Sequence, residues 1–315
     1  MRLRRNRPGA LVVFKLPRTP GGLTCPSHMK LFLALLLTTL AAFRVAAQMS
    51  VELALEQDQF LPNESVRVAV KITNRSGQPV QLGADASWLT FSVESEDGFV
   101  VVKNAEVPVV GEFDLESSQM ATKRVDLQPY FAMGRQGRYK VTATVHVPQW
   151  SLTLNSAPKS FDVVNGAELW SQEFGVMVAT NTAPEPRKYT LIEANYLREQ
   201  LRLYVQVSDR DSSQVFKVAP LGPLVSFSSP EAQVDRVSQL HVLWQTGAQT
   251  FSYTTVSPDG SVQSRDTYSN FNSRPRLTVD ANGQVVVFGG VRRAKPSDLP
   301  AVQLPEATPA TPVRP

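Results

Sequence analysis

The sequence predicts an all-β chain built in two halves, on three observations. Apolar residues recur at every second position through many short segments, and turn-forming residues part those segments at even intervals. Helical periodicity is almost absent. Side chains on a strand point alternately to opposite faces, so a period of two writes one buried and one wet face.

The first segment sets Val51, Leu53 and Leu55 against Ser50, Glu52 and Ala54. The next sets Val66, Val68, Val70 and Ile72 against Ser65, Arg67, Ala69, Lys71 and Thr73. Asn74-Arg75-Ser76-Gly77 ends it with residues that tolerate positive φ or bond their own backbone. Leu89, Phe91 and Val93 form a third inward row, and Glu96-Asp97-Gly98 is expected to turn the chain into a hairpin strand over Phe99–Val102. Tyr139, Val141, Ala143, Val145 and Val147 form a long inward row, and Phe161–Val164 a closing strand. Many short strands with turns between them mean a sandwich or a barrel.

Three stretches add a resemblance: Phe60-Leu61-Pro62-Asn63-Glu64-Ser65-Val66, Ile72-Thr73-Asn74 and Gly137-Arg138-Tyr139-Lys140-Val141. Together they resemble bacterial immunoglobulin-like domains over roughly residues 50–164. The resemblance implies a β-sandwich in which Tyr139 is a tyrosine corner, its ring buried and its hydroxyl on nearby backbone. These motifs are architectural and imply no activity.

The second half is also β-rich. Gln200–Val205, Gln239–Trp244 and Gln284–Phe288 read alike at offsets of 39 and 45 residues, and at the larger offset Val234-Asp235 also matches Val279-Asp280. This resembles the repeats of β-propellers, each a four-stranded blade, although three units fall short of a closed ring. Incomplete blades and a second sandwich both remain open. The expected domains are a leader over 1–47, an immunoglobulin-like sandwich over 48–165, a second β-rich domain over 166–293 and a Pro-rich, disordered tail over 294–315.

The leader reads as a secretion signal that starts at Met29. Met29-Lys30 is followed by a mostly apolar Leu31–Phe43 and small residues before Gln48, a run too short to cross a bilayer. The expected location is therefore extracytoplasmic, in the periplasm or medium of a bacterium, with no membrane span once the signal is removed. Eight of the 32 basic residues lie within 1–47, which hold no acid, so 24 face 28 acidic residues from Gln48 onward. That mildly acidic balance argues against nucleic acid as a partner. Cys25, the one cysteine, falls in the leader, which leaves the remainder without disulfides or thiolate metal sites.

No catalytic, cofactor or metal site is expected. His146 is placed outward beside Thr142 and Thr144, and His241 among apolar neighbours, with no second histidine at ligand spacing. Glu94, Glu96, Asp97, Asp114, Glu116, Asp209 and Asp211 sit in polar turns where solvent keeps carboxylates ionised. Ser208–Ser213 begins like a calcium loop but lacks its glycine and distal glutamate. Aromatic rings are the remaining resource: Trp88, Trp150 and Trp244 are expected in the core, and Tyr253, Tyr268 and Phe271 are the candidate ligand contacts. The expected function is a non-enzymatic binding or structural role toward a protein or glycan at the cell envelope. The alternative is a carbohydrate-binding or carbohydrate-active protein that uses the second half.

Overall fold

The computed structural model describes residues 49–177, 184–197, 200–295 and 298. The expected secretion signal lies outside them, as does nearly all of the Pro-rich tail. The described chain is all-β, with several open sheets and no α-helix. Two short 3₁₀ segments, Gln128–Tyr130 and Pro148–Trp150, interrupt the strands of the first half.

In the first half the strands are β1 (Met49–Leu55), β2 (Gln59–Phe60), β3 (Arg67–Asn74), β4 (Val80–Leu82), β5 (Leu89–Ser95), β6 (Phe113–Leu115), β7 (Met120–Asp126), β8 (Gly137–Val147), β9 (Leu152–Asn155) and β10 (Lys159–Val163). One sheet runs β1-β3-β7; another runs β2-β10-β8-β5, with β9 also on β8. The predicted inward rows face each other across one core. Val68, Val70 and Ile72 come from the first sheet, and Leu89, Tyr139, Val141 and Val145 from the second. A β3 register shifted by one residue would expose that whole row, so the pairing of Val70 with Leu53 and Lys123 is fixed by burial.

Tyr139 is fully buried, stacked on Phe161 at 5.5 Å, and donates its hydroxyl hydrogen to the Arg135 carbonyl at 2.5 Å. Trp88 is also buried, with its indole N–H on the Val109 carbonyl. Trp150 packs at the edge of the same core.

The hairpin expected after Gly98 does not form. The turn at Glu96–Gly98 is present, but Phe99–Val102 is not a strand, and Val100 and Val102 are exposed. Asp97 turns its carboxylate onto the Arg138 amide at 2.7 Å, and Phe99 packs edge-on against Tyr139. Local turn chemistry is satisfied by β8 instead of by a new strand.

The second half comprises β11 (Ala167–Val176), β12 (Glu185–Leu197), β13 (Gln200–Asp209), β14 (Val215–Pro223), β15 (Glu231–Val234), β16 (Leu240–Gly247), β17 (Thr250–Val256), β18 (Val262–Ser269), β19 (Arg276–Val279), β20 (Val285–Phe288) and β21 (Val291–Arg292). β11-β12-β13-β14 is one antiparallel meander and β15-β16-β17-β18 the next, with β21 against the end of β18. β19-β20 is a separate two-stranded hairpin. The first strands of successive units adjoin, β11 by β15 and β15 by β19.

The two meanders share a core of Tyr189, Leu191, Leu203, Val205 and Leu221 from one and Leu240, Val242 and Trp244 from the other. Strand β16 is buried through Gln245 on both of its faces, which accounts for its continuous apolar run.

The repeat seen in the sequence is half structural. Gln239–Trp244 and Gln284–Phe288 both enter the second strand of a unit, whereas Gln200–Val205 starts the third. The 45-residue offset is therefore architectural. The 39-residue offset is one strand out of phase, because buried β-strands share the same short apolar pattern.

Candidate functional site

Turns with a common design gather at one end of the second half. Within an antiparallel meander the first and third turns lie at the same end. Asp235 joins β15 to β16, and its Oδ1 accepts the Val237 and Gln239 amides at 3.0 and 2.8 Å. Asp280 joins β19 to β20 and accepts Asn282 and Gln284 in the same way, at 2.9 and 2.8 Å. Asp209 caps the β13–β14 turn through Gln214 N and Ser213, and Asp259 caps the β17–β18 turn through Ser257 and Ser261. The first carboxylate of the supposed calcium-loop start is thus taken up by the hairpin itself. Hydrogen bonds from Ser213 and Gln214 hold Asp209 below the usual carboxylate range, and those from Ser257 and Ser261 hold Asp259 at about 2.

The turns also knit the units together. The Tyr189 hydroxyl reaches the Ser238 and Val256 carbonyls at 3.0 and 3.3 Å, and Ser238 Oγ donates to the Gly175 carbonyl at 2.8 Å.

Between the Asp235 and Asp280 turns lies an open cleft of about 450 Å³ lined by Asp235, Arg236, Gln239, His241, Asn282 and Gln284. His241 forms its inner wall. The expectation of apolar surroundings holds for its sequence neighbours but not for its ring. On the face of β16 opposite Leu240 and Val242, its Nε2 meets Asp235 Oδ2 at 3.2 Å and its Nδ1 meets the Tyr253 hydroxyl at 2.7 Å. Both ring nitrogens are occupied, and Asp235 spends its other oxygen on the turn. Burial pushes the Tyr253 hydroxyl to about 12, with further upward pressure from Tyr268, Asp266 and Asp235. The arrangement is an Asp–His–Tyr strut whose polar groups satisfy one another.

Of the three candidate ligand aromatics, the fold brings two together. Tyr253 and Tyr268 lie on neighbouring strands, edge to face at 6.4 Å, and both are half-buried. Tyr253 is committed to His241. Phe271 is 81% exposed, in the linker after β18, with no ring pairing to either tyrosine. Burial also raises the Tyr268 hydroxyl, helped by the Asp266 charge. Burial would lift Asp266 itself, but hydrogen bonds from Lys295 (2.8 Å) and Arg292 (2.7 Å) outweigh it and hold the carboxyl low. This cluster ties the end of the described chain to β18.

The other carboxylates are dispersed. Glu94 of β5 pairs with Lys140 of β8 at 3.1 Å, and Glu96, in the turn after β5, with Arg138 of β8 at 3.3 Å, all on the surface. Asp114 and Glu116 are exposed on an open cleft of about 510 Å³ beside Pro79 and Pro148. His146 is held by the Thr153 hydroxyl at 3.1 Å, on the outer face as expected. Among the described residues no group of three His, Cys, Asp or Glu is placed to hold a metal ion.

Three exposed phenylalanines lie toward the opposite end of the second half. Phe227, Phe271 and Phe288 are 76%, 81% and 72% exposed. Their segments converge: Arg274 donates to Ser228 Oγ at 3.3 Å, and the Gly290 amide donates to Ser273 Oγ at 3.1 Å. Sequence reasoning found Phe271 by its polar context and missed the other two, since Phe227 and Phe288 stand in separate segments whose approach depends on the fold.

It also missed Glu64 as chemistry. This carboxyl is 3% exposed at the junction of the halves and accepts Gln57 Nε2 at 3.0 Å and the Leu61 amide at 2.8 Å. Burial nevertheless lifts it to about 7, against those bonds and the nearby Arg202 guanidinium.

No protein-family model matches this chain, and no curated protein matches it. Among solved structures it is similar to Spo0M, a sporulation control protein from Bacillus subtilis, at 9% identity. That match covers 53% of this chain and 82% of that chain, with a TM-score of 0.29. The likeness is too slight to inform either fold or function.

Proposed function

We propose that this chain is an exported, non-enzymatic binding protein that engages a protein partner through the phenylalanine surface of its second half. In this reading the first half is an immunoglobulin-like sandwich and the second a short run of propeller-type blades. The buried Tyr139, with its hydroxyl on Arg135 four residues upstream, supports the former. Consecutive four-stranded meanders with recurring Asp turns support the latter.

The observation that carries the function is the exposure of Phe227, Phe271 and Phe288 on converging segments. Soluble surfaces seldom leave several large rings uncovered together, and aromatic rings are favoured anchors at protein interfaces. The other half of the proposal, the lack of a reaction, is supported by the strut around His241, whose ring nitrogens are both taken by Asp235 and Tyr253.

Photo-crosslinking residues placed at Phe271 and Phe288 test the reading, with one at Asp211 on the far end as control. The expected result is a discrete polypeptide adduct from the cell envelope at the first two positions only. Equal labelling at all three positions, or adducts to glycan alone, would overturn it. Export is tested separately by fusing residues 1–47 to a reporter active only outside the cytoplasm; an inactive fusion would remove that element.

A further inference from the structure

Among the described residues the second half builds a four-strand antiparallel meander twice, the second extended by β21, and adds the two-stranded hairpin β19-β20. Among the described residues β20 has β19 on one edge and no strand on the other. Its sequence is Val285-Val286-Val287-Phe288, without charge or proline. Other strands at the margins of the second half are guarded: β11 carries Glu168 and Glu173, β14 carries Lys217, Pro220 and Pro223, and β15 carries Glu231. Charges and prolines are the usual devices that stop an edge from recruiting another strand. β20 has neither.

The hydrogen-bond parity of the hairpin shows which groups are offered. The Asp280 amide donates to the Gln284 carbonyl, so Asp280 and Gln284 form a hydrogen-bonded pair. Bonded and non-bonded pairs alternate along an antiparallel ladder, which makes Thr278–Val286 and Arg276–Phe288 bonded as well. The backbone N–H and C=O of Val285 and Val287 therefore point away from β19. Val285 and Val287 also share the face that turns inward with Leu277, whereas Phe288 projects on the outer face with Arg276 and Thr278.

We infer that β20 pairs antiparallel with β20 of a second copy of this chain, about a twofold axis through Val286. The inference rests on the reading that this end of the molecule binds protein, and it names the partner. Parity permits the arrangement: Val285 of each copy lies opposite Val287 of the other, and their outward N–H and C=O groups bond across the new ladder. The result is a sheet in the order β19-β20-β20-β19, with the strand number of each meander. Self-pairing also demands that a strand tolerate its own residues opposite, and like charges across a ladder repel. β11 and β15, with their glutamates, do not meet that demand; an all-apolar strand does. A twofold contact of this kind is self-complementary and closes at two copies.

Two measurements on the full chain decide it. Sedimentation velocity of the native protein is expected to show a concentration-dependent dimer. Val287→Pro removes an outward amide without breaking a bond to β19, and is expected to weaken dimerisation about 10-fold or more, with an unchanged far-ultraviolet spectrum. Val286→Cys in a Cys25→Ser background reads the register independently of any effect on folding. Val286 would face its own copy in a non-bonded pair, where Cα atoms approach to about 4.5 Å, within disulfide range. Rapid oxidation to a covalent dimer is expected there, and none for a Val237→Cys control, an exposed position in the β15–β16 turn. A native protein that stays monomeric at high concentration would overturn the inference. So would a dimer that survives Val287→Pro and gives no covalent link in the Val286→Cys variant. Should Phe271 still crosslink to a different polypeptide, the broader binding proposal would stand without it.

Discussion

Glu64 shows how far a side chain's chemistry depends on parts of the chain it cannot announce. Its carboxyl accepts two hydrogen bonds, which favour the charged form, yet burial outweighs them and places its titration near 7, against 4.5 for the free group. The folded protein therefore holds this proton more tightly than the unfolded chain between pH 4.5 and 7, so stability falls as pH rises through that window and levels off above it. The shift corresponds to about 3 kcal/mol. Denaturant melts at pH 5 and pH 8 should show that loss in the native protein and a much flatter profile in Glu64→Gln; parallel profiles would mean the carboxyl is solvated. At Tyr139 more was legible, because the alternating row placed the ring inward and the resemblance around Gly137-Arg138-Tyr139 implied a backbone partner for its hydroxyl. Tyr139→Phe is expected to cost about 1–2 kcal/mol, since the Arg135 carbonyl loses its donor; a midpoint unchanged in denaturant would refute this. Glu64 was visible only as one letter of a turn motif, because Tyr204 and Arg202, which face it in the fold, belong to a distant strand of the second half.

Turns rather than strands carry the regularity of the second half. The Asp235 and Asp280 turns repeat bond for bond, and this is why an offset of 45 residues could be read from the sequence while the offset of 39 misled. The first repeats a turn and the strand after it, the second only a strand. Phe99–Val102 erred for a related reason. A turn signal specifies a reversal, but whether a strand follows depends on a free ladder to join, and β8 was already flanked by β5 and β10. The hairpin β19-β20 rests on Gly283, whose φ is +78°, where a Cβ would also fall 2.6 Å from Arg236 Nη2 in the neighbouring turn. Gly283→Ala is expected to destabilise this hairpin by about 1–2 kcal/mol, through the left-handed backbone and the displaced guanidinium. Amide hydrogen exchange localises the effect: protection at Thr278 and Val286 should drop while β8 stays protected. Uniform loss across the protein would show that the hairpin and the rest open as one.

At the scale of the whole molecule the two halves are joined by a small apolar contact. Leu61, from the loop after β2, is 3% exposed against Ala194, Tyr204 and Val218 of the first meander, and the Tyr196 hydroxyl reaches back to the Glu56 carbonyl at 3.4 Å. Gly166, in the short link between the halves, lets the chains approach: a Cβ there would lie 2.6 Å from the Glu193 carbonyl oxygen and 3.2 Å from Leu61 Cδ2. The pattern of the sequence leads one to expect two β-rich stretches. That Leu61 couples them was not legible there, because an apolar residue before Pro62 looks the same whether it packs into its own core or enters another. Each half keeps a core of its own, so the coupling should be separable from folding. Calorimetry of the native protein is expected to give one cooperative transition. Leu61→Ala should lower stability by about 2–4 kcal/mol, the usual cost of emptying a buried leucine site. Leu61→Asp, which places a charge against Tyr204 and Val218, should split the trace into two transitions, with the Tyr139 environment lost in only one of them. A trace that stays single in Leu61→Asp would instead assign the coupling to the backbone approach at Gly166, and Gly166→Ala would then be the variant that separates the halves.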